Sequence, residues 1–332
     1  MIEHITYIES DQLNPYRNLG LEEQLLLNCQ EQECILYLWQ NKQTIVIGRN
    51  QNAWKECLTH QLREDGGHLV RRLSGGGAVY HDLGNLNFTF LVRKENYDLE
   101  KQLQVILRAV EMLGICAEKS GRNDILVDGR KFSGNAFYET GDYCYHHGTL
   151  MVDVNVNELS RYLTVSEEKL KLKGVDSVRS RVVNLHDLNP EITIESLKIS
   201  LKKAFEETYG MRSQVRKKED LNGKALEKSV KKFESREWIY GRKMEFQEEL
   251  SHQFPWGSLT MQLQIDQGKI KDVMIFSDSM KPDMIESIPK YLKNHTYENH
   301  VLTSELSLYW TMDPQEEAMI EDIRSWLGAA EL

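Results

Sequence analysis

The run Arg71-Arg72-Leu73-Ser74-Gly75-Gly76-Gly77-Ala78-Val79-Tyr80-His81 gathers residue types suited to holding an oxyanion. Consecutive glycines lose side-chain packing and cost backbone entropy, but they let a ligand lie directly against peptide N–H groups. Arg71 and Arg72 supply permanently charged forks for phosphate or carboxylate, and Ser74 and His81 add hydrogen-bonding groups at the two ends of the loop. Residues 68–70 before the glycines and 86–92 after them are apolar or β-prone, so a wide hairpin or bulge is the structural alternative. No Gly-Lys-Ser/Thr follows, which excludes a Walker loop, and no helix pattern follows, which excludes a dinucleotide fingerprint.

A second segment, 121–137, contains Asp128-Gly129 between β-prone arms, a two-residue hairpin signal that sets Lys131 just past a tight turn. An ammonium there either sits in solvent, as most lysines do, or meets an oxyanion. With the glycine loop it suits activation of a carboxylate by ATP. A lysine touching both the carboxylate and the first phosphate neutralises the charge that builds during in-line attack. The pair His146-His147 invites a metal, but neighbours on a strand point to opposite faces, so a shared ion is not expected.

The elements that must hold these groups alternate between helix and strand patterns. Residues 18–30 read as a helix with Leu19, Leu21, Leu25 and Leu26 inward, and 34–39 and 44–48 as two strands joined by a turn at 41–43, a hairpin. Residues 54–64 read as helical, 97–113 as an amphipathic helix ended by Gly114, and 145–154 as a strand. Helices are expected over 161–174 and 192–209, with a basic strand-like piece at 177–183 between them. Over 211–243 basic residues outnumber acids about two to one, which suits a solvated linker or helix face, or contact with an acidic partner. From Phe246 a smaller unit begins: a hairpin of 258–265 and 270–276, helices over 284–293 and 314–329, and a strand-like stretch at 301–310.

At 332 residues the chain exceeds what one core usually serves, so two domains are expected, 1–245 and 246–332. A formal charge of -10 argues against nucleic-acid binding by bulk electrostatics. No apolar run approaches the ~20 residues of a membrane span, and the start lacks the basic-then-apolar order of a signal peptide, so the expected location is cytoplasmic, without membrane attachment. The five cysteines, Cys29, Cys34, Cys57, Cys116 and Cys144, form no C-x-x-C pair and read as free thiols.

The motifs R-R-x-S-G-G-G-A-V, G-R-N-D and K-x-S-G, in this order, with Trp39, residues 47–52 and His146-His147-Gly148-Thr149, resemble those of the lipoate–protein ligases. The resemblance spans nearly the whole chain. It implies an α+β fold: a biotin/lipoate ligase-like mixed-sheet domain, related to class II synthetases, with a small α+β C-terminal accessory domain. It also implies two half-reactions, lipoate with Mg²⁺-ATP to lipoyl-AMP, then transfer to an acceptor lysine. The acceptors would be lipoyl domains of 2-oxoacid dehydrogenase complexes, the glycine cleavage H protein, or both. By family position Arg72, Gly77, Ala78, Val79 and Tyr80 would hold ATP, and Lys131 would touch both carboxylate and phosphate as the catalytic residue. Leu19, Leu21, Trp39, Arg72, Ser74, Gly75, Gly76, His81, Lys131 and His147 would bind lipoate, with Asn85, Asn123, Ser133 and Thr149 as further candidates. No metal ligands are assigned. The resemblance leaves two rivals: an octanoyl or lipoyl transferase, for which a cysteine shortly before the Lys131 hairpin would be expected, and a non-catalytic lipoate-binding protein. Rotation of the small domain about residues 242–247 between the two half-reactions is a further expectation.

Overall fold

In the computed structural model, which describes residues 1–121, 123–163, 181–216 and 220–330, the strands set the frame. In chain order they are β1 (His4–Glu9), β2 (Glu33–Trp39), β3 (Thr44–Ile47), β4 (His68–Arg71), β5 (Val79–His81), β6 (Asn85–Arg93), β7 (Glu118–Ser120), β8 (Asp124–Val127), β9 (Arg130–Thr140), β10 (Tyr143–Met151), β11 (Gln214–Val215), β12 (Glu248–Phe254), β13 (Gly257–Asp266) and β14 (Lys269–Ser277). Eight of them form one mixed sheet in the order β11-β1-β2-β6-β10-β9-β8-β7. The expected α+β class with a large mixed sheet is what the chain adopts.

Strand β6 shows why this sheet has two different faces. Leu86, Phe88, Phe90 and Val92 are fully buried in the main hydrophobic core, while Asn85, Asn87 and Thr89, which alternate with them, are buried on the other side. The core side is closed by the helices Leu99–Glu111 and Ile194–Tyr209, which bring Val105, Ile106, Ala109, Leu201, Ala204 and Phe205. Asp98 caps the first helix through Lys101 N, and Thr193 with Ser196 forms a capping box on the second. The opposite, polar side of the sheet is packed by the helix Pro15–Leu27, whose Leu19, Leu21, Leu25 and Leu26 are all buried as expected.

Several local expectations give way to tertiary structure. Strands β2 and β3 do not pair: β2 runs between β1 and β6, and β3 lies in a separate three-stranded sheet, parallel to β4 and antiparallel to β5. The link between them is not a free turn, because Asn41 is buried and bonded to Asn18 and His81. The helix expected over 54–64 is two short ones, Ala53–Glu56 and Thr59–Glu64, parted where Cys57 bridges Leu163. The Asp128-Gly129 hairpin forms with positive φ at both residues, 51° and 73°, as a primed turn requires. The helix expected over 161–174 and the strand-like piece at 177–183 lie largely outside the described residues.

The described residues divide into two compact units, one of Met1–Ile47, Trp54–Arg72 and Ala78–Ile239, the other of Gly48–Ala53, Leu73–Gly77 and Tyr240–Leu332. The second has its own antiparallel sheet, β12-β13-β14, and its own core of Leu259, Met261, Ile270, Ile288, Leu302 and Ile323. Here the stretch 301–310 is not a strand. Residues Asn299–Leu306 are helical, with Leu302 and Leu306 buried one turn apart, so its apolar spacing has the helical period. The helix expected over 284–293 is broken by Pro289 into Pro282–Ser287 and Pro289–Leu292.

Candidate active site

Lys131 reaches its position through a β-bulge. Ile125 pairs with Ser133 and Leu126 with Lys131, so Phe132 is an extra residue that drops into the core. Residues three apart on a regular strand face opposite ways; the bulge puts Lys131 on the same face as Gly134 and Asp124. Its ammonium stands 2.7 Å from Asp124 Oδ1. The side chain lies across Gly134, where an added Cβ would come within 2.9 Å of Nζ. The backbone is pinned by Lys131 N donating to Arg181 O at 2.7 Å and Val183 N donating to Lys131 O at 2.9 Å.

The same face continues across the sheet as a buried polar surface. Trp39, Asn87 and Thr149 are register partners in one row, and Gly134 N donates to Thr149 Oγ1 at 3.3 Å. Tyr37, Thr89, His147 and Ala136 form the next row. Glu22, from the helix Pro15–Leu27, is 1% exposed and ties this row together. Its Oε1 accepts from Thr89 Oγ1 at 2.7 Å and from His147 Nδ1 at 2.9 Å, while the Trp39 indole N–H donates to Thr89 Oγ1 at 3.2 Å. One buried carboxylate therefore orients both Trp39 and His147. His146 points the other way, into Phe88, Phe90 and Phe137, with its Nε2 on Asn135 Oδ1 at 2.8 Å. The two histidines are on opposite faces, and among the described residues no cluster of three metal-ligating side chains occurs.

Arg72 and His81 are buried in the same unit. Arg72 Nη1 donates to Val46 O at 3.1 Å, and burial pushes its guanidinium down to about 10, so it stays charged at neutral pH. His81 is held neutral: burial, with Arg72 and His147 adding to it, lowers its imidazole to about 3. Its ring centroid is 6.1 Å from that of Trp39. Arg71 is not beside Arg72 in function. Its guanidinium donates to the carbonyls of Trp238 and Ile239, and its own carbonyl accepts from the Trp238 indole at 2.7 Å, so it is a structural residue.

The glycine run has a structural use as well. Gly75 and Gly76 are buried, a Cβ on Gly75 would stand 2.0 Å from Ser279 O, and Gly76 N donates to that carbonyl at 3.1 Å. Gly76 has φ 88°. Ser74 is buried beside them, whereas Gly77 is exposed, Ala78 and Val79 are half-buried, and Tyr80 is buried with its ring 5.9 Å from Tyr162. Among the further candidates, Asn123 Nδ2 donates to Asn135 O while Asn135 Nδ2 donates to Asn123 O, a reciprocal tie, and Asn85 Nδ2 donates to Asn87 Oδ1. Glu22, Thr89, Asn87 and Asn41 were missed from sequence. The alternation Asn85-Leu86-Asn87-Phe88-Thr89-Phe90 carried the signal for two of them.

Two family models match the chain: "Lipoyl protein ligase A/B catalytic domain" over residues 14–206 and "Bacterial lipoate protein ligase C-terminus" over 243–327. Among curated relatives, the chain is 37% identical over 328 residues to lipoate-protein ligase A of Bdellovibrio bacteriovorus, covering 96% of each. It is 39% identical over 325 residues to lipoate-protein ligase A of Blochmanniella floridana, again with 96% of each covered. Among solved structures it is similar to P. falciparum LipL1 in complex with lipoate, at 32% identity and a TM-score of 0.86 over 98% of this chain and 100% of that one. It is also similar, at 25% identity and a TM-score of 0.63 over 74% of this chain and 99% of that one, to a chain from a structural analysis of an archaeal lipoylation system, a bi-partite lipoate protein ligase and its E2 lipoyl domain from Thermoplasma acidophilum. With family models matching residues 14–206 and 243–327 and relatives 37–39% identical over 96% of each chain, the chain belongs to the lipoate–protein ligase family.

Proposed function

We propose that the protein is a lipoate–protein ligase: it joins lipoate to ATP, giving lipoyl-AMP and pyrophosphate, and passes the lipoyl group to the amine of an acceptor lysine with release of AMP. The observation that carries this reading is the bulged hairpin that sets the Lys131 ammonium, beside Asp124, on the buried face lined by Thr149, Asn87 and Trp39. A cation held there opposes the negative charge that builds as the carboxylate attacks the first phosphate. Trp39, His81, His147, Leu19, Leu21, Ser74, Gly75 and Gly76 are assigned to the lipoyl group. Arg72 serves lipoate and ATP together, and Gly77, Ala78, Val79 and Tyr80 serve the nucleotide. Mg²⁺ enters with the phosphates, as it commonly does in nucleotide sites.

The acceptor lysine must lose a proton before it attacks. The reactive mixed anhydride makes positioning the larger part of that step, so no dedicated base is assigned. Catalytic and accessory domains are assigned to 1–245 and 246–332. The acceptors are lipoyl domains of 2-oxoacid dehydrogenase complexes, the glycine cleavage H protein, or both, and the site of action is the cytoplasm. Among the described residues no helix is long and apolar enough to cross a membrane.

A transferase working through a cysteine thioester is disfavoured by the thiols. Burial pushes Cys34, Cys57 and Cys144 up to about 12 and raises Cys29 further, and Cys116 is exposed. A non-catalytic lipoate-binding protein would bind lipoate without releasing pyrophosphate. Incubation with lipoate and each acceptor, with and without ATP, tests the proposal. ATP-dependent pyrophosphate release and a modified acceptor lysine are expected, and acyl transfer from a carrier thioester without ATP would overturn it.

A further inference from the structure

Among the buried hydrogen-bond donors of the polar face that find no acceptor in the described residues are Asn87 Nδ2 and His81 Nε2. Their residues are 1% and 3% exposed. Both are held in defined orientations. Asn85 Nδ2 donates to Asn87 Oδ1 at 2.9 Å, which leaves the Asn87 amide nitrogen as the spare end. Asn18 Nδ2 donates to Asn41 Oδ1 at 3.0 Å, and Asn41 Nδ2 in turn donates to His81 Nδ1 at 3.2 Å, so the His81 hydrogen lies on Nε2. Buried donors without acceptors are costly and rare, and two flanking one tryptophan mark a place where a ligand supplies the acceptors.

Their place along the face says which part of the ligand that is. Trp39, Asn87 and Thr149 lie in one row on β2, β6 and β10, and Lys131 lies across Gly134 on the next strand, β9. With strands ~4.8 Å apart, β6 and β2 lie roughly 10 and 14 Å from β9. An extended eight-carbon acid with sulfurs on its sixth and eighth carbons measures on the order of 10 Å from carboxyl to sulfur, given carbon–carbon bonds of ~1.5 Å. A carboxylate at Lys131 therefore puts the sulfur end between Asn87 and Trp39, whose ring borders that of His81. Resting on the ligase reading above, we propose that Asn87 Nδ2–H and His81 Nε2–H donate to the ring sulfurs of lipoate and set a preference for lipoate over octanoate.

A thioether-type sulfur is a weak acceptor, but octanoate offers only methylenes at the same place and leaves both donors unpaired. Sites that carry donors for a substrate discriminate against the analogue lacking the acceptor more strongly than apolar pockets discriminate by size. The test compares kcat/KM for acyl-AMP formation from lipoate, 6-thiaoctanoate and octanoate, in the wild type and in Asn87→Leu, which keeps the shape and removes the donor together with the acceptor of Asn85, a loss common to all three acids. The wild type is expected to rank the acids in that order, with lipoate ahead of octanoate by about tenfold or more. Asn87→Leu is expected to lower the lipoate value by about fivefold and leave octanoate at or above its wild-type value. Equal use of lipoate and octanoate by the wild type, or a parallel fall for both acids in the variant, overturns the proposal while the ligase reading stands. Acyl-AMP formation from none of the three acids overturns both. Should Asn87→Leu not fold, the wild-type ranking alone decides.

Discussion

Lys131 is held 2.7 Å from Asp124 Oδ1 with its side chain 35% exposed, and on the proposed reading its ammonium would turn from that pair to an arriving carboxylate and phosphate. Lys131→Met keeps the stem and removes the cation. It is expected to lower lipoyl-AMP formation by about a thousandfold or more with an unchanged melting temperature, measured by pyrophosphate release. Glu22 ties the polar face together by accepting from Thr89 and His147. Glu22→Ala strands His147 and Thr89 in the interior and is expected to cost about 3 kcal/mol in denaturant unfolding. The place of Lys131 just past a tight turn was legible because Asp128-Gly129 is a strong hairpin signal. Glu22 was not, because Glu22 and Glu23 are adjacent on one helix and only the fold says that the first turns to the sheet while the second pairs with Lys232.

Two histidines add a pH dependence. His81 and His146 are kept neutral by burial, each lowered to about 3 from an ordinary value of 6.5. Below pH 6.5 the unfolded chain binds protons that the native state refuses, so their contribution is complete above that pH and is lost as pH falls toward 3. The slope for the pair is at most about 2.7 kcal/mol per pH unit. Denaturant midpoints should fall from pH 7 to pH 5. His146→Phe, within its aromatic cluster, should reduce that fall by about half, since one of the two proton-linked groups is gone.

At the scale of elements, the bulge at Phe132 and the glycine at 134 act together: one turns Lys131 onto the polar face and the other leaves room for it to lie there. Gly134→Ala would meet the flexible end of a lysine and no backbone, so it is expected to change stability by less than about 1 kcal/mol while displacing the ammonium. Adenylate formation should fall by about a hundredfold, the penalty of roughly 1 Å of misplacement. Period-2 and period-3.6 patterns gave most elements, including the amphipathic helix Leu99–Glu111 and the β13–β14 hairpin. They failed where pairing is non-local. β2 and β3 are neighbours in sequence and belong to different sheets, and the short apolar run at 301–310 does not separate helix from strand by itself.

At the scale of the molecule, a smaller unit beginning near residue 246 was expected from the strand and helix patterns, but the inclusion of Gly48–Ala53 and Leu73–Gly77 in the same compact unit as Tyr240–Leu332 was not. That inclusion rests on main-chain approaches, Gly76 N to Ser279 O and Arg49 N to Ser74 O, that no side-chain pattern announces. The family was legible because its motifs lie in the glycine run and the lysine hairpin, segments whose backbone geometry tolerates few other residues.

The claim that ATP activates lipoate through Lys131 is tested most directly by the mass of a purified lipoyl domain after incubation with lipoate, with and without ATP, using the wild type and Lys131→Met. The account predicts addition of one lipoyl group to a lysine only with ATP and only with Lys131 present. Modification without ATP from a carrier-bound acyl group, or wild-type turnover by Lys131→Met, would contradict it.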